Sequence, residues 1–101
     1  MSAGEKQVFA RAAELIRTIG HCKGSFARNE LGLPIWNWTN ELEHFSGFCM
    51  SGAVRRATYE MGINGDQALE TLRREVRMWP AAFNDTHTET EVLAALDRLA
   101  A

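Results

Sequence analysis

The side chains in this sequence best suited to chemistry are its thiols and imidazoles, which are Cys22, Cys49, His21, His44 and His87. A thiol becomes a nucleophile when its pKa is lowered, as happens at a helix N-terminus or beside an imidazolium. Cys49 is the candidate nucleophile. His87 is the candidate base, provided that folding brings the two side chains together. A cysteine-dependent enzyme is therefore one hypothesis for this chain.

The position of Cys49 decides between catalysis and packing. Asn40 and Glu43 have the spacing of a capping box, which predicts that a helix begins at Asn40 and places Cys49 in its middle, where the backbone N–H groups are already bonded. The neighbours of Cys49 on that face are small, which favours close packing of another helix: Gly52, Ala53 and Ala57. We therefore favour packing, and a helix beginning near Ser46 would reverse this interpretation.

Metal binding is not expected from the spacing of these residues. A structural zinc site usually takes paired ligands, two to four residues apart, from two places in the chain. Here His21 and Cys22 are adjacent, and the separation of His44 and Cys49 does not align them on a helix. The sequence therefore predicts neither a metal nor another cofactor.

The segment from His21 to Arg28 is a candidate anion-binding loop. Its glycine offers backbone N–H groups, and Lys23 and Arg28 supply cations, a combination that suits a phosphate or a carboxylate. Asp85, in the stretch FNDTHTET, is a possible further contact, although that stretch is typical of a turn before a helix. The resulting alternative is a protein that binds or sequesters a small anionic, nucleotide-like ligand.

Two tryptophans in the stretch PIWNWTN are the residues that we select as contacts to a partner. Trp36 and Trp38 lie in a polar segment, and tryptophan is enriched at the energetic centres of protein interfaces. The competing interpretation is that these rings cover the end of the core. A partner surface predicts binding to another protein or to a second copy, so a homodimer is plausible.

Charge and hydropathy narrow the class of protein. The net charge is −2 and the pI about 5.9, whereas nucleic-acid binders usually carry a basic surplus, so nucleic-acid binding is not favoured. No apolar run reaches membrane-spanning length. The N-terminus MSAGEKQVF has no apolar signal core. We therefore expect a cytoplasmic protein with free thiols and no membrane association.

The elements that position these residues are predicted to be four amphipathic helices. Each follows a helix-start pattern in which a cap residue precedes Glu or Gln by three positions: Ser2 with Glu5, Asn40 with Glu43, Asn64 with Gln67, and Thr88 with Glu91. Between the first two helices, residues 20–39 form a long irregular connection, and residues 80–87 form a second irregular stretch. The sequence therefore predicts one all-α domain over residues 1–101, a small bundle of four main helices.

Three further motifs carry a resemblance to a known family. They are GHCKG at Gly20–Gly24, the Cys-x-x-Gly-Ala pattern of CMSGAVRRA at Cys49–Ala57, and the aromatic-Asn-Asp turn followed by Thr and Glu-Val-Leu at Phe83–Ala100. In these the chain resembles a family of small bacterial and phage proteins of unknown function. His21 stands where a tryptophan is expected, and the Trp36–Trp38 segment lies outside the pattern. The resemblance implies a fold but no chemistry, and its phage link suggests a role in phage–host conflict.

The hypothesis that best fits these observations is a small non-enzymatic binding protein. It would act through a protein partner or through self-association, with Trp36 and Trp38 as the contacts. The anionic-ligand binder and the Cys49–His87 enzyme remain the two alternatives.

Overall fold

Five α-helices and three short β-strands make up the chain in the computed structural model, which describes residues 1–101. Their order is α1 (Ala3–Ile19), β1 (Ala27–Asn29), β2 (Pro34–Ile35), β3 (Phe45–Phe48), α2 (Met50–Met61), α3 (Gly65–Val76), α4 (Pro80–Thr86) and α5 (Glu89–Ala100). The prediction of an all-α bundle with four helices is therefore wrong, and the fold is mixed α and β.

Three of the four predicted helix starts are confirmed. The Ser2 hydroxyl accepts a hydrogen bond from the first turn of α1, and the Asn64 side chain accepts two from the first turn of α3. At α5, Thr88 and Glu91 form the complete reciprocal capping box. Gly62 ends α2 in the left-handed conformation, with φ 67°, as its position predicts.

The fourth capping pattern, Asn40 with Glu43, does not begin an α-helix. Only a 3₁₀ turn, Leu42–His44, follows it, and the chain then extends into β3. The backbone of β3 pairs with β1, so its polar groups are satisfied by a distant segment rather than within a local helix. The N-cap of α2 is therefore Cys49 rather than Asn40, about two and a half turns later than predicted, because long-range strand pairing overrides the local signal.

The predicted irregular connection, residues 20–39, contains β1 and β2, which join β3 in a three-stranded antiparallel sheet. The strand order is β2-β1-β3, and Ala27 in the central strand lies opposite Ile35 on one side and Phe48 on the other. The outer side of β3 is partly occupied, since Cys22 N–H donates to Phe48 O at 3.1 Å. Hydrogen bonds thus connect the segment from Cys22 to Phe48, which leads directly into α2.

The stretch predicted to be irregular before α5 is also helical. Helix α4 begins with Pro80 at its first position and ends before His87. Proline is well tolerated there, because its fixed φ suits a helix and its missing N–H would have had no partner in the helix. Pro80 therefore begins α4, whereas the preceding helix α3 has already ended at Val76.

Helix α1 lies at the centre of the packing, against α2, α5 and β3. Its buried residues recur at intervals of three and four, as expected for an amphipathic helix: Val8, Phe9, Ala12, Ala13, Leu15 and Ile16. The phenylalanines of β3 complete the core from the sheet side, with Phe45 and Phe48 stacked at 4.6 Å between ring centroids. None of the helices combines the length and apolar composition needed to cross a membrane.

Candidate functional site

Cys49 caps the N-terminus of α2 rather than lying in the middle of a helix, so the predicted position is wrong. Its Sγ accepts a hydrogen bond from Gly52 N at 3.2 Å, and its own N–H donates to Phe26 O at 2.9 Å. The chain at Phe26 runs close beside α2, since a Cβ at Gly52 would lie 2.0 Å from Phe26 O. The small residues after Cys49 therefore admit the backbone of the preceding segment.

The environment of the Cys49 thiol is unsuitable for a nucleophile. A helix N-terminus lowers the pKa of a thiol, but burial acts in the opposite direction and is the larger effect, so the pKa of Cys49 is raised to about 11. The His87 ring stacks on Phe83 at 3.8 Å, and its Nδ1 lies 2.9 Å from Phe83 O. Both groups are engaged locally, which supports packing and capping roles over a catalytic pair.

Asn84 in α4 ties three segments together from a fully buried position. Its Oδ1 accepts from Met50 N at 2.9 Å, and its Nδ2 donates to Cys22 O at 2.9 Å, so the amide orientation is fixed. His21 Nε2 lies 2.6 Å from the same Oδ1, which requires that this nitrogen carry the hydrogen. His21 thus serves the internal network that holds the loop against α2 and α4.

The proposed anion-binding loop has already used most of its binding groups. The Arg28 guanidinium donates to Gly32 O and Lys23 O, both at 3.0 Å, and Asp85 Oδ1 accepts from Gly24 N at 3.1 Å. The geometry brings Lys23, Arg28 and Asp85 into one neighbourhood, as the anion-binding hypothesis requires. Arg28 and Asp85, however, stabilise the loop's own backbone, and this gives the anion-binding alternative little support.

The two tryptophans of the PIWNWTN stretch have different surroundings. Both rings meet Phe26 edge-on, with ring centroids 5.6 Å away for Trp36 and 5.8 Å for Trp38. Trp38 is half-buried, and the Arg55 guanidinium lies over its ring at 5.5 Å. Trp36 is 63% exposed. The Trp38 ring is therefore partly covered by other residues of the protein, while the Trp36 ring faces solvent.

The Trp38 side of the molecule is further held by Arg56, a buried arginine of α2. Its guanidinium donates to Trp38 O at 3.0 Å and to Asn40 O, and it pairs with Glu60 at 2.9 Å. The pKa of Glu60 is lowered mainly by the hydrogen bond from Arg11 and further by the one from Arg56. The segment that carries the tryptophans is thereby fixed to α2 by charge-assisted hydrogen bonds.

Two adjoining cavities open on this side of the molecule, and Phe26 and Ala81 line both. The larger, of about 300 Å³, lies between the start of α2, the helix α3 and the start of α4. The smaller, of about 150 Å³, has Trp36 and Cys49 in its walls. Phe26, placed between them, is the residue around which this surface is organised.

Phe26 and Trp79, which borders the larger cavity, are not among the predicted site residues. The spacing of Leu72, Val76 and Trp79 indicates a helix face that would bury Trp79, but α3 ends at Val76 and Arg77 adopts a left-handed conformation, with φ 61°. Trp79 is consequently 73% exposed. The signal that could have found it is Pro80, which disfavours helical geometry at the residue before it.

The exposed residues Glu41, Glu43 and His44 are a group whose potential ligand atoms all lie within 4.8 Å of one another. His44 Nδ1 also lies 3.2 Å from Glu30 Oε2, so its ring has a carboxylate partner within the protein. Exposed acidic groups beside a histidine are common without a metal, and we assign this group no metal-binding role.

The comparisons with known proteins give the chain its family. The model of a family described as a family of unknown function (DUF6197) matches residues 2–101. No curated protein and no solved structure matches the chain. The resemblance read from the GHCKG, Cys-x-x-Gly-Ala and Asn-Asp motifs is confirmed at the level of the family, and the chain belongs to this family of unknown function.

Proposed function

We propose that this chain is a non-enzymatic binding protein that associates with a second copy of itself through the hairpin of β1 and β2. The contact surface, which we call the hairpin surface, consists of Leu31, Leu33 and Trp36. The observation that supports it is their exposure, which is 78%, 56% and 63%. Three large apolar side chains within one short segment form an unusual solvent-facing surface.

The hairpin surface is supported by ordered structure beneath it. Asn29 closes the turn, because its Oδ1 accepts from Leu31 N at 2.9 Å and from Leu33 N at 3.0 Å. The Trp36 ring rests edge-on against Phe26. A partner would therefore meet a turn whose backbone is already ordered and a Trp36 ring that already has a contact within the protein, which lowers the entropic cost of association.

The surroundings of this surface suit a second copy. The hairpin carries one cation, Arg28, and one anion, Glu30, and the net charge of the chain is only −2, so repulsion between copies is weak. Strand β2 lies at an edge of the sheet, but it has two residues and Pro34 lacks an N–H. We therefore expect side chains rather than strand pairing to form most of the contact.

Sedimentation velocity over about 1 μM to 1 mM protein tests this proposal, a range corresponding to binding free energies of about −8 to −4 kcal/mol. We expect a monomer–dimer equilibrium in this range. Trp36→Ala should weaken it at least about tenfold, as expected for a residue at the centre of an interface. The matched control is Tyr59→Ala, which removes a ring of α2 that is 54% exposed and lies outside the hairpin.

Two results would count against the hairpin surface. The first is a protein that remains monomeric throughout the concentration series. The second is a dimer that Tyr59→Ala weakens as much as Trp36→Ala does, since that outcome would place the contact elsewhere. Circular dichroism of each variant establishes that the fold is retained.

A further inference from the structure

The larger cavity, of about 300 Å³, has the composition of a small-molecule site. Its apolar walls come from Phe26, Leu69, Trp79, Pro80 and Ala81, and its polar groups from Ser51, two arginines and two carboxylates. Ligand sites typically combine mostly apolar walls with a few converging polar groups, and their volumes begin at about 300 Å³. The hairpin surface makes no use of this cavity.

Ser51, in the first turn of α2, provides an independent indication of a ligand. Its side chain is nearly enclosed, at 6% exposure, and it lines the cavity. The hydroxyl forms no hydrogen bond within the protein. Since no fully buried side-chain polar atom lacks a partner, this hydroxyl retains some contact with solvent, which the position of Ser51 in the cavity wall allows. A buried hydroxyl that faces an open cavity is available to bond a ligand atom.

The charges of the cavity wall balance one another. Arg55 pairs with Asp66 at 2.7 Å and Arg73 pairs with Glu70 at 2.6 Å. The neighbouring Arg73 lowers the pKa of Glu70 to about 2, so this carboxylate is ionised at neutral pH. Each guanidinium already has a carboxylate partner, so these two arginines and two carboxylates carry no net charge, and the pairs still offer donors and acceptors along their exposed edges.

We infer that this cavity binds the uncharged heteroaromatic base of a nucleoside. Trp79, which is exposed and borders the cavity, supplies the aromatic ring on which a base can stack, and Phe26 adds to the apolar wall. Ser51 and the edges of the two ion pairs supply the hydrogen bonds that a base edge requires. The balanced charges favour a nucleoside over the corresponding nucleotide.

Titration calorimetry with adenosine, guanosine and uridine tests this inference, with tryptophan fluorescence as a second signal from Trp79. We expect saturable binding of at least one nucleoside. Ser51→Ala should weaken it about two- to tenfold, the value of one neutral hydrogen bond. Trp79→Ala should weaken it about five- to hundredfold, the value of one stacked base.

The controls distinguish a site that forms specific hydrogen bonds from a merely apolar surface. Ser46→Ala removes a hydroxyl that donates to Asn29 O at 2.6 Å, outside the cavity, and should leave nucleoside binding unchanged. Indole offers a ring without acceptor atoms and should bind more weakly than the nucleosides, and inorganic phosphate should not compete. The inference is overturned if the folded protein binds no nucleoside at millimolar concentration, if indole binds equally well, or if neither Ser51→Ala nor Trp79→Ala alters binding.

Discussion

Replacing Gly52 by alanine is the substitution whose effect follows most directly from the geometry. Gly52 lies in the first turn of α2 and has a negative φ, so its backbone conformation would accept any residue. The obstacle is the space that a methyl group requires. The new Cβ would lie 2.0 Å from Phe26 O and 2.8 Å from Phe26 C.

The magnitude can be worked from these contacts. Ordinary non-bonded contacts lie near 3.5–4.0 Å, so the Phe26 carbonyl would have to move by more than about 1 Å. Such overpacking costs about 1–3 kcal/mol, and the move also breaks the bond from Cys49 N to Phe26 O, leaving a buried N–H at a cost of about 1–3 kcal/mol. Alanine regains up to about 1 kcal/mol of helix propensity. We expect a net loss of about 2–4 kcal/mol.

Differential scanning calorimetry measures this loss as a fall in Tm of roughly 10–30 °C for a domain of this size. The matched control is Gly62→Ala, where a Cβ meets nothing within 4 Å and the left-handed φ of 67° alone costs about 1–2 kcal/mol. If Gly52→Ala were as stable as the native protein, or less damaging than Gly62→Ala, the close approach of Phe26 to α2 would be refuted.

Two further substitutions test the groups around this contact. Asn84→Ala should lower the free energy of unfolding by at least about 3 kcal/mol in urea titrations, because buried groups such as Met50 N and Cys22 O lose their partner. As the control, Asn40→Ala removes an exposed side chain and should stay within about 0.5 kcal/mol of the native value. The pKa of Cys49 is raised from 9.0 to about 11, so above pH 9 the unfolded chain loses the thiol proton before the folded protein does. The free energy of unfolding should therefore fall by roughly 2–3 kcal/mol as pH rises from 9 toward 11. Urea midpoints should therefore fall more steeply over this range in the native protein than in Cys49→Ala, and equal slopes would contradict the burial of the thiol.

The helices whose starts the sequence predicts correctly are those that begin with hydrogen bonds between residues close together in the chain. Ser2, Asn64 and Thr88 bond to backbone groups two or three residues ahead, so the spacing along the chain contains the necessary information. Asn40 has the same local pattern, yet its segment becomes a turn and a strand. The deciding interaction there is the pairing of β3 with β1, which no local spacing reveals.

The surface features were only partly predictable for the same reason. A tryptophan pair in a polar stretch indicates a contact surface, but only the fold shows that Trp38 lies beneath Arg55 while Trp36 faces solvent. The burial of Cys49 follows from its apolar neighbours, although the helix position inferred for it was wrong. Phe26 had no signal at all, because its importance comes from the segments that converge on it.

The convergence on Phe26 links the core to both proposed contacts. Its carbonyl accepts a hydrogen bond from Cys49 N and its backbone lies against Gly52, its ring contacts Trp36, and the residue lines the larger cavity. A displacement of this backbone therefore reaches the hairpin surface and the cavity together. Gly52→Ala should accordingly weaken both self-association and nucleoside binding at temperatures where it is still folded, whereas Trp79→Ala should weaken only the latter. The two sites are separate in their contacting residues but share one support, which is the backbone of Phe26 where it lies against the start of α2.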